Sequence, residues 1–305
     1  MGKNIIFMGT PSYATVIFEE LIKNGYNIVA LFTQPDKKVG RKQVITPPHI
    51  KQFVLDHGLS LPIYQPNKLK ENGSVDIIKK LAPDYIIVAA YGQILSQDIL
   101  DIAPCINLHA SLLPLYRGAS PIQQALLNDD TFTGVTAMLM ELGLDSGDIL
   151  GYNYIKITKE MDIGYLFDTL AQMAAKLSID VLEKFENLNP KQQNNALVSY
   201  CSKITKKDGE VEFDNAYKIF LKYKAYKFWP GIFLKSGLKL LKLDLYEKNS
   251  VNIQGEILQI EKNYIIVGCT QGSIKIETIQ QPSKKAISVG DYIRGQRLQI
   301  GNIIS

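Results

Sequence analysis

The sequence predicts an α/β protein with an open, mostly parallel sheet, followed by a smaller β-rich domain. Three observations support this prediction. Short apolar runs alternate with amphipathic helices over residues 4–187, which is the order of βαβ units in a parallel sheet. Residues 189–195 (NPKQQNN) are polar and contain proline, as linkers do. From residue 232 onward, short β-rich runs are separated by glycine and asparagine, which indicates a small barrel or sandwich.

The first part of the chain reads as strand, turn, helix, strand. Ser12 is expected to cap the first helix, which stops near Gly25. The run 84–90 is apolar without alternation, as expected for a central strand covered on both faces. Strands are predicted at 4–8, 27–33, 61–64, 84–90, 106–109, 135–140 and 148–157. Helices are predicted at 12–25, 49–58, after 74, at 96–101, from 121 and at 162–187.

The second part of the chain carries a different pattern. Asp214 is expected to cap a helix that runs to about Tyr226, and Trp229-Pro230-Gly231 turns the chain. Strands are predicted at 238–246, 253–260, 264–269 and 273–279. We therefore expect a catalytic domain at 1–188, a linker at 189–205 and a second domain at 206–305.

Charge is divided unevenly between these parts. Residues 201–305 contain 17 lysines and arginines against 10 acidic residues, whereas residues 1–200 contain 17 against 20. A basic module favours an anionic partner, and a polyanion benefits most because several phosphates are neutralised together. The alternative is that lysine is simply the preferred surface residue of this chain.

Several functional classes are not indicated. Cys105, Cys201 and Cys269 are far apart and show neither zinc-ligand nor disulfide spacing, so we expect no metal and a reducing, cytoplasmic setting. The longest apolar run, 85–91, is too short to cross a bilayer. Gly9 is followed by Thr-Pro-Ser instead of further spaced glycines, so NAD or FAD binding is not expected.

A long basic connection lies between Thr33 and Pro48. It carries Lys37, Lys38, Arg41 and Lys42 around a glycine. Connections of this length without structure of their own are usually functional or mobile. Nucleic-acid contact and a solvated turn are both open on the spacing alone.

The stretch 106–148 concentrates polar groups suited to carbonyl chemistry. Asn107 and His109 are two residues apart, so on a strand their side chains share a face. The strand then ends at a proline and an Arg-Gly pair, which places both groups at the carboxyl edge where α/β proteins bind ligands. Asp145 follows in a glycine-bounded loop. The amide and imidazole can stabilise an oxyanion while the carboxylate orients the imidazole and helps to move protons. The alternative is an interior histidine and a turn aspartate.

Several separated motifs occur in a characteristic order along the chain. They are Phe7–Pro11, Thr33–Asp36, Asn107–Pro114, Arg117-Gly118, Ser120–Ile122 and Gly143–Asp148. Together they resemble the formyltransferase family that uses 10-formyltetrahydrofolate. The similarity covers essentially the full length of the chain and extends to the family branch that acts on methionyl-tRNA.

The resemblance implies a fold, a reaction and a set of site residues. It implies a Rossmann-like sheet with helices on both faces, an OB-like C-terminal barrel, and a monomer. The reaction would move formyl from 10-formyltetrahydrofolate to the amino group of initiator methionyl-tRNA, without a metal. Asn107, His109 and Asp145 match the catalytic positions. The folate positions would be Tyr91, Gly92, Gln93 and Ile94, together with Ser111, Leu112, Leu113 and Pro114, and the tRNA-binding positions would be Lys37, Lys38, Arg41 and Lys42.

The sequence departs from the family pattern at two places. Lys42-Gln43-Val44 follows Arg41 where the family usually has Gly-Lys-Lys, and Lys227-Phe228 precedes Trp229 where the family often has Asn-Pro.

Two competing functions are also open. The first is that of a related enzyme that acts on a small acceptor or hydrolyses the formyl donor, and the basic second domain argues against it. The second is a catalytically silent RNA-binding protein.

Overall fold

The computed structural model describes residues 3–40, 42–70 and 73–304 and divides the chain into two compact units. Because the first unit includes residues up to Cys201, it incorporates most of the segment expected to be a linker. The first unit comprises Met1–Pro121, Phe132–Lys156 and Phe167–Cys201. The second comprises Ile122–Thr131, Ile157–Leu166 and Ser202–Ser305.

The strands of the first unit alternate with helices, as the sequence predicts. The strands are β1 (Asn4–Gly9), β2 (Asn27–Phe32), β3 (Lys37–Val39), β4 (Val44–Thr46), β5 (Ile63–Tyr64), β6 (Tyr85–Ala89), β7 (Cys105–His109), β8 (Arg117–Gly118), β9 (Phe132–Leu139), β10 (Ile149–Lys156) and β11 (Tyr200–Cys201). The helices up to residue 184 are α1 (Ser12–Lys23), α2 (His49–Asp56), α3 (Ser74–Leu81), α4 (Gln97–Leu100), α5 (Pro121–Leu127) and α6 (Ile163–Lys184).

Seven of these strands form one mixed sheet in the order β10-β9-β7-β6-β1-β2-β5. The pairings from β7 through β6, β1 and β2 to β5 are parallel, and those of β9 with β7 and β10 are antiparallel. The predicted open, mostly parallel sheet is confirmed. Its central strand β6 is buried at every position, which accounts for the unbroken apolar run in the sequence.

The strand order reverses between β1 and β6. From β1 the chain proceeds outward through β2 and β5, and it then returns to place β6 on the other side of β1. The carboxyl ends of these two strands lie level, with Gly9 opposite Ala89. Such a reversal point is where open α/β sheets bind ligands.

Two short ladders are absent from the sequence-based prediction. The basic connection is not structureless, because β3 and β4 pair as an antiparallel hairpin with Lys37 opposite Thr46. Further on, β8 pairs in parallel with β11. A side chain at Gly118 would meet the Cys201 carbonyl oxygen at 2.1 Å, so this close approach requires glycine.

The second unit contains the remaining strands and helices. They are α7 (Ala216–Ala225), β12 (Ile232–Phe233), β13 (Lys239–Glu247), β14 (Ile257–Ile260), β15 (Ile265–Gly268), β16 (Ser273–Gln280), β17 (Ile287–Ser288) and α8 (Val289–Gln296). Short 3-10 helices occur at Phe185–Asn187 and Asn195–Leu197 in the first unit and at Lys206–Gly209 in the second.

The strands of the second unit form an antiparallel sheet in the order β12-β13-β16-β15-β14, and β17 also pairs with β16. Within residues 3–40, 42–70 and 73–304, no strand pairing closes this sheet, so a barrel is not confirmed. Helix α8 was not predicted. The predicted cap of α7 shifts by one residue, because Asn215 and not Asp214 accepts from the Lys218 amide at 2.9 Å.

Two segments that come earlier in the chain are bonded through side chains to α7 and to the residues just after it. The Tyr217 hydroxyl donates to the Asp129 carboxylate, and burial together with this bond raises the pKa of Tyr217 to about 12. Beyond the end of α7, Lys227 pairs with Asp162 at 2.5 Å. Residues 122–131 and 157–166 therefore pack with the second unit although they precede it in the chain.

The cap of α7 provides a stability test. Replacing Asn215 with alanine removes the acceptor for the Lys218 amide, and we expect a loss of about 1 kcal/mol in the free energy of unfolding. Urea denaturation followed by circular dichroism measures the loss. Asn215→Asp retains the capping oxygen and should stay near wild type; equal losses in both variants would show that the cap is not the source.

Candidate active site

Two polar side chains stand at the end of β7. Asn107 and His109 are 9% and 6% exposed. Their i, i+2 spacing on the strand gives both side chains one face, as predicted. Asn107 lies opposite Val88 of β6 and Met138 of β9. The pair is therefore next to β6, one of the two strands at the reversal point.

A carboxylate from a later loop reaches this pair. Asp145 Oδ1 accepts from Asn107 Nδ2 at 3.2 Å, and Oδ2 accepts from the Gly118 backbone N–H at 2.9 Å. The Asp145 backbone has a φ of 47°, in the left-handed region that non-glycine residues occupy only when neighbouring contacts hold them. The structure thus brings together the three positions that the sequence singles out.

The imidazole of His109 lies between two acceptors. Its Nε2 is 2.9 Å from the Tyr116 carbonyl oxygen, and its Nδ1 is 3.7 Å from Asp145 Oδ2. Because a carbonyl only accepts, Nε2 must carry a hydrogen, and the neutral ring then has its lone pair on Nδ1. The Tyr116 carbonyl, which the sequence did not single out, therefore selects the tautomer. Asp145 Oδ2 faces Nδ1, the nitrogen that carries this lone pair.

The Ser111–Pro114 loop is anchored to β9 by one threonine. Thr136 Oγ1 donates to the Ser111 carbonyl at 2.7 Å and accepts from the Leu113 N–H at 3.0 Å. Ser111 is fully buried, and its hydroxyl donates to the Leu115 carbonyl at 2.6 Å. Leu112 and Pro114 remain partly exposed. Polar contact with a ligand would therefore come from the loop's backbone, and apolar contact from Leu112 and Pro114.

The loop after β6 lies beside the reversal point. The Tyr91 carbonyl accepts from Thr10 Oγ1 at 3.3 Å, which links it to the end of β1. Gly92 adopts a φ of 79°, and Ile94 is 82% exposed. Gln93 is committed to the protein, because its side chain accepts from the Leu69 N–H at 2.6 Å and donates to the Pro66 carbonyl at 2.9 Å.

The hydroxyl of Tyr91 is a buried polar group with an open hydrogen-bonding capacity. It has no partner among the residues that the structure describes. Burial also raises the pKa of Tyr91, so the group is a neutral donor. Buried hydroxyls usually have a partner, and this one belongs to a tyrosine that is 2% exposed and packs in the core cluster with Ile6, Met8 and Val88.

Three of the four predicted tRNA-binding residues lie on or beside the strands of the β3–β4 hairpin. Lys37, Lys38 and Lys42 are exposed. Arg41, the fourth predicted residue, lies outside the described residues. The hairpin also exposes Val39, Val44 and Ile45, with 54%, 58% and 65% of their surfaces accessible.

The sequence did not predict that residues 193–201 form hydrogen bonds with the loops around Asp145 and Tyr116. Residues 193–201 were read as linker, but Gln193 bonds to the Asp145 loop and Ser199 Oγ accepts from the Tyr116 N–H at 2.9 Å. A polar composition is typical both of a linker and of an extended segment whose side chains bond to the backbone of the domain. The two-residue pairing of β8 with β11 shows that this segment belongs to the second kind.

Cys201 is close to the site, since its Sγ contacts the Tyr116 carbonyl at 3.4 Å. Burial raises the pKa of this thiol, so it is not the thiolate that covalent catalysis requires. Across the described ranges, no group of three or more His, Cys, Asp or Glu residues could hold a metal ion. No described helix has the length and apolar character of a membrane span.

Comparison with known proteins gives matches over nearly the whole chain. Residues 3–182 match the family described as formyl transferase, and residues 203–297 match the formyl transferase C-terminal domain. The chain is 53% identical over 298 residues to the methionyl-tRNA formyltransferase of a Nitratiruptor species, covering 98% of each chain. It is 54% identical over 302 residues to that of Sulfurimonas denitrificans, covering 99% of each.

Solved structures extend the likeness of fold to distant proteins. HypX from Aquifex aeolicus, in a crystal structure with tetrahydrofolic acid, aligns with a TM-score of 0.65 at 16% identity, over 96% of this chain and 47% of HypX. At that identity the likeness concerns the fold. The two family matches and the near full-length identity to its members show that this chain belongs to the formyltransferase family.

Proposed function

We propose that this protein transfers the formyl group of 10-formyltetrahydrofolate to the α-amino group of methionyl-initiator-tRNA, giving formylmethionyl-tRNA for translation initiation. The relatives named methionyl-tRNA formyltransferase match over 98–99% of both chains. The observation that carries the chemistry is the convergence of Asn107, His109 and Asp145 at the carboxyl end of β7. This set suits attack by an external amine on a carbonyl carbon.

The reaction needs one proton to move from the amine to the folate. The methionyl amine attacks the formyl carbon, and the carbonyl oxygen becomes an oxyanion. One N–H of Asn107 Nδ2 faces Asp145, so the other can donate to that oxygen. The C–N10 bond then breaks and tetrahydrofolate leaves. His109 Nδ1 takes the proton lost by the amine and returns it to N10.

Asp145 supports the proton transfer electrostatically. When His109 Nδ1 gains a proton, the ring becomes cationic, with Asp145 Oδ2 3.7 Å away. The carboxylate is itself held by the Gly118 N–H, so it meets the developing charge without moving. A preorganised countercharge of this kind lowers the barrier because no reorganisation is needed during the reaction.

The folate is proposed to lie along the two loops that border the site. The backbone of Ser111, Leu112, Leu113 and Pro114 forms one side. Tyr91, Gly92, Gln93 and Ile94 form the other. The open backbone at Gly92 and the exposed Ile94 side chain fit a flat ring, and Tyr91 would act by packing the start of this loop into the core. Gln93 would act by holding the loop, since its amide is already bonded.

The tRNA is proposed to contact the β3–β4 hairpin and the second unit. Lys37, Lys38 and Lys42, with Arg41, supply cations for phosphate contacts. Residues 206–305 are proposed as a basic, OB-like tRNA-binding domain joined to a 1–188 catalytic domain through 189–205. Their short antiparallel strands and excess of lysine support this reading. We further propose that the enzyme acts as a monomer.

An acceptor comparison tests the proposed function. We expect formylation of initiator methionyl-tRNA by 10-formyltetrahydrofolate, with elongator methionyl-tRNA much slower and no turnover of glycinamide ribonucleotide or amino sugars. Acid-gel separation of the tRNA products and absorbance of released tetrahydrofolate give the rates. Turnover of a small acceptor alone would refute the proposal, as would tRNA binding without turnover.

Removing His109 or Asp145 should abolish most of the chemistry. We expect His109→Ala and Asp145→Ala to lower kcat by about 100-fold or more, the usual cost of losing one group that stabilises such a transition state, while tRNA affinity changes little. His57→Ala, an exposed histidine on the chain after α2, is the matched control. A kcat within threefold of wild type in either site variant would contradict the assigned roles.

The lysines of the hairpin should act through electrostatics. Changing Lys37, Lys38 and Lys42 together to alanine should raise KM for methionyl-tRNA. It should also flatten the dependence of log KM on log salt by about one unit for each phosphate that is no longer neutralised. Lys70→Ala/Lys79→Ala/Lys80→Ala, at exposed lysines on α3 and just before it, removes the same three charges and controls for total charge. If the salt dependence is the same in all three proteins, the hairpin does not contact phosphates.

A further inference from the structure

We propose that Gln193 is a positioning residue for the formyl transfer, acting through Asp145. This inference rests on the proposed function for its kinetic test and on geometry for its structural test. Gln193 lies outside the family motifs noted in the sequence and is 4% exposed. Its side chain joins the backbone of the Asp145 loop to the buried Arg117.

The amide of Gln193 is fully used. Its Nε2 donates to the Asp145 carbonyl at 2.9 Å and to the Gly147 carbonyl at 2.8 Å. Its Oε1 accepts from Arg117 Nε at 3.0 Å and from Arg117 Nη2 at 2.8 Å. A buried amide that makes four bonds has no rotational freedom left, so it transmits a fixed geometry.

The chemistry of its partners dictates which way the amide faces. A guanidinium only donates and backbone carbonyls only accept, so oxygen must face Arg117 and nitrogen must face the loop. Arg117 is 5% exposed, and no carboxylate forms an ion pair with it within the part of the chain that the structure describes. Gln193 is therefore the principal acceptor of this guanidinium, with a longer contact of 3.5 Å to Asn195.

The loop that receives the amide holds the carboxylate in an unusual backbone state. Asp145 has a φ of 47°, and Gly147 approaches the Leu139 carbonyl so closely that a Cβ would lie 1.8 Å from its oxygen. The two Gln193 bonds hold the carbonyls of both residues. With the backbone fixed, the carboxylate stays 2.9 Å from the Gly118 N–H and faces His109.

A single isosteric change separates the two ends of the amide. Gln193→Glu keeps an oxygen for Arg117 but replaces the donor of both loop bonds with an acceptor, so only the Asp145 side is broken. We expect kcat to fall at least tenfold, with KM for methionyl-tRNA and for the formyl donor within twofold of wild type. Gln124→Glu, on helix α5, is the matched control and should keep wild-type kcat.

A double-mutant cycle tests whether the effect passes through Asp145. In an Asp145→Asn background, adding Gln193→Glu should change kcat less than twofold, because the group that Gln193 positions is already altered. Losses that multiply would overturn the inference, and so would a kcat of Gln193→Glu within twofold of wild type. If Gln193→Glu does not fold, Gln193→Asn tests the same claim, since the shorter amide cannot span both partners.

A structural measurement tests the role of Gln193 without relying on any formyl acceptor. The Gly118 amide donates to Asp145 Oδ2, so its hydrogen exchange, measured by NMR, reports the carboxylate position. Faster exchange of this amide in Gln193→Glu, with the thermal midpoint unchanged, supports the inference, and unchanged exchange overturns it. If wild type formylates no methionyl-tRNA, the proposed function fails while the exchange result still decides the role of Gln193.

Discussion

The carboxylate of Asp145 is the group on which the proposed site depends, because three groups from two other segments of the chain, β7 and β8, meet at it. One oxygen accepts from Asn107 on β7, and the other accepts from the Gly118 amide on β8 and faces His109. Each contact is modest alone, but a largely buried carboxylate that loses its donors is costly. The Asp145 side chain is 14% exposed, so the bonds that compensate its lost hydration also assemble the proposed catalytic set.

The fold provides this meeting point through the order of its strands. The reversal between β1 and β6 opens the carboxyl edge of the sheet, and β7 follows directly beside β6. The loops bordering the site are then held by single polar side chains. Thr136 holds the Ser111–Pro114 loop, and Gln93 holds the loop after β6. Rigid strands and side-chain anchors together place the proposed catalytic groups.

Much of this architecture is readable from sequence because it depends on local patterns. The apolar runs of the parallel strands, the i, i+2 spacing of Asn107 and His109 and the glycines around Asp145 all act over a few residues. The parts that escaped prediction depend on contacts between distant residues. The ladder of β8 with β11 is two residues long and joins positions 83 residues apart, and no periodicity can arise from so short a pairing. The contact of Gln193 with the Asp145 loop could not be predicted, because its partners there are backbone carbonyls, which every residue possesses.

The pairing of β8 with β11 also decides where a minimal catalytic fragment can end. The N-terminal family match stops at residue 182, yet Gln193, Ser199 and Cys201 contribute bonds to the loops around Asp145 and Tyr116. A chain cut at that boundary would retain every residue of the proposed catalytic trio and lose the support beneath it. A fragment meant to keep the proposed catalytic site therefore has to extend at least through Cys201, where the first compact unit ends.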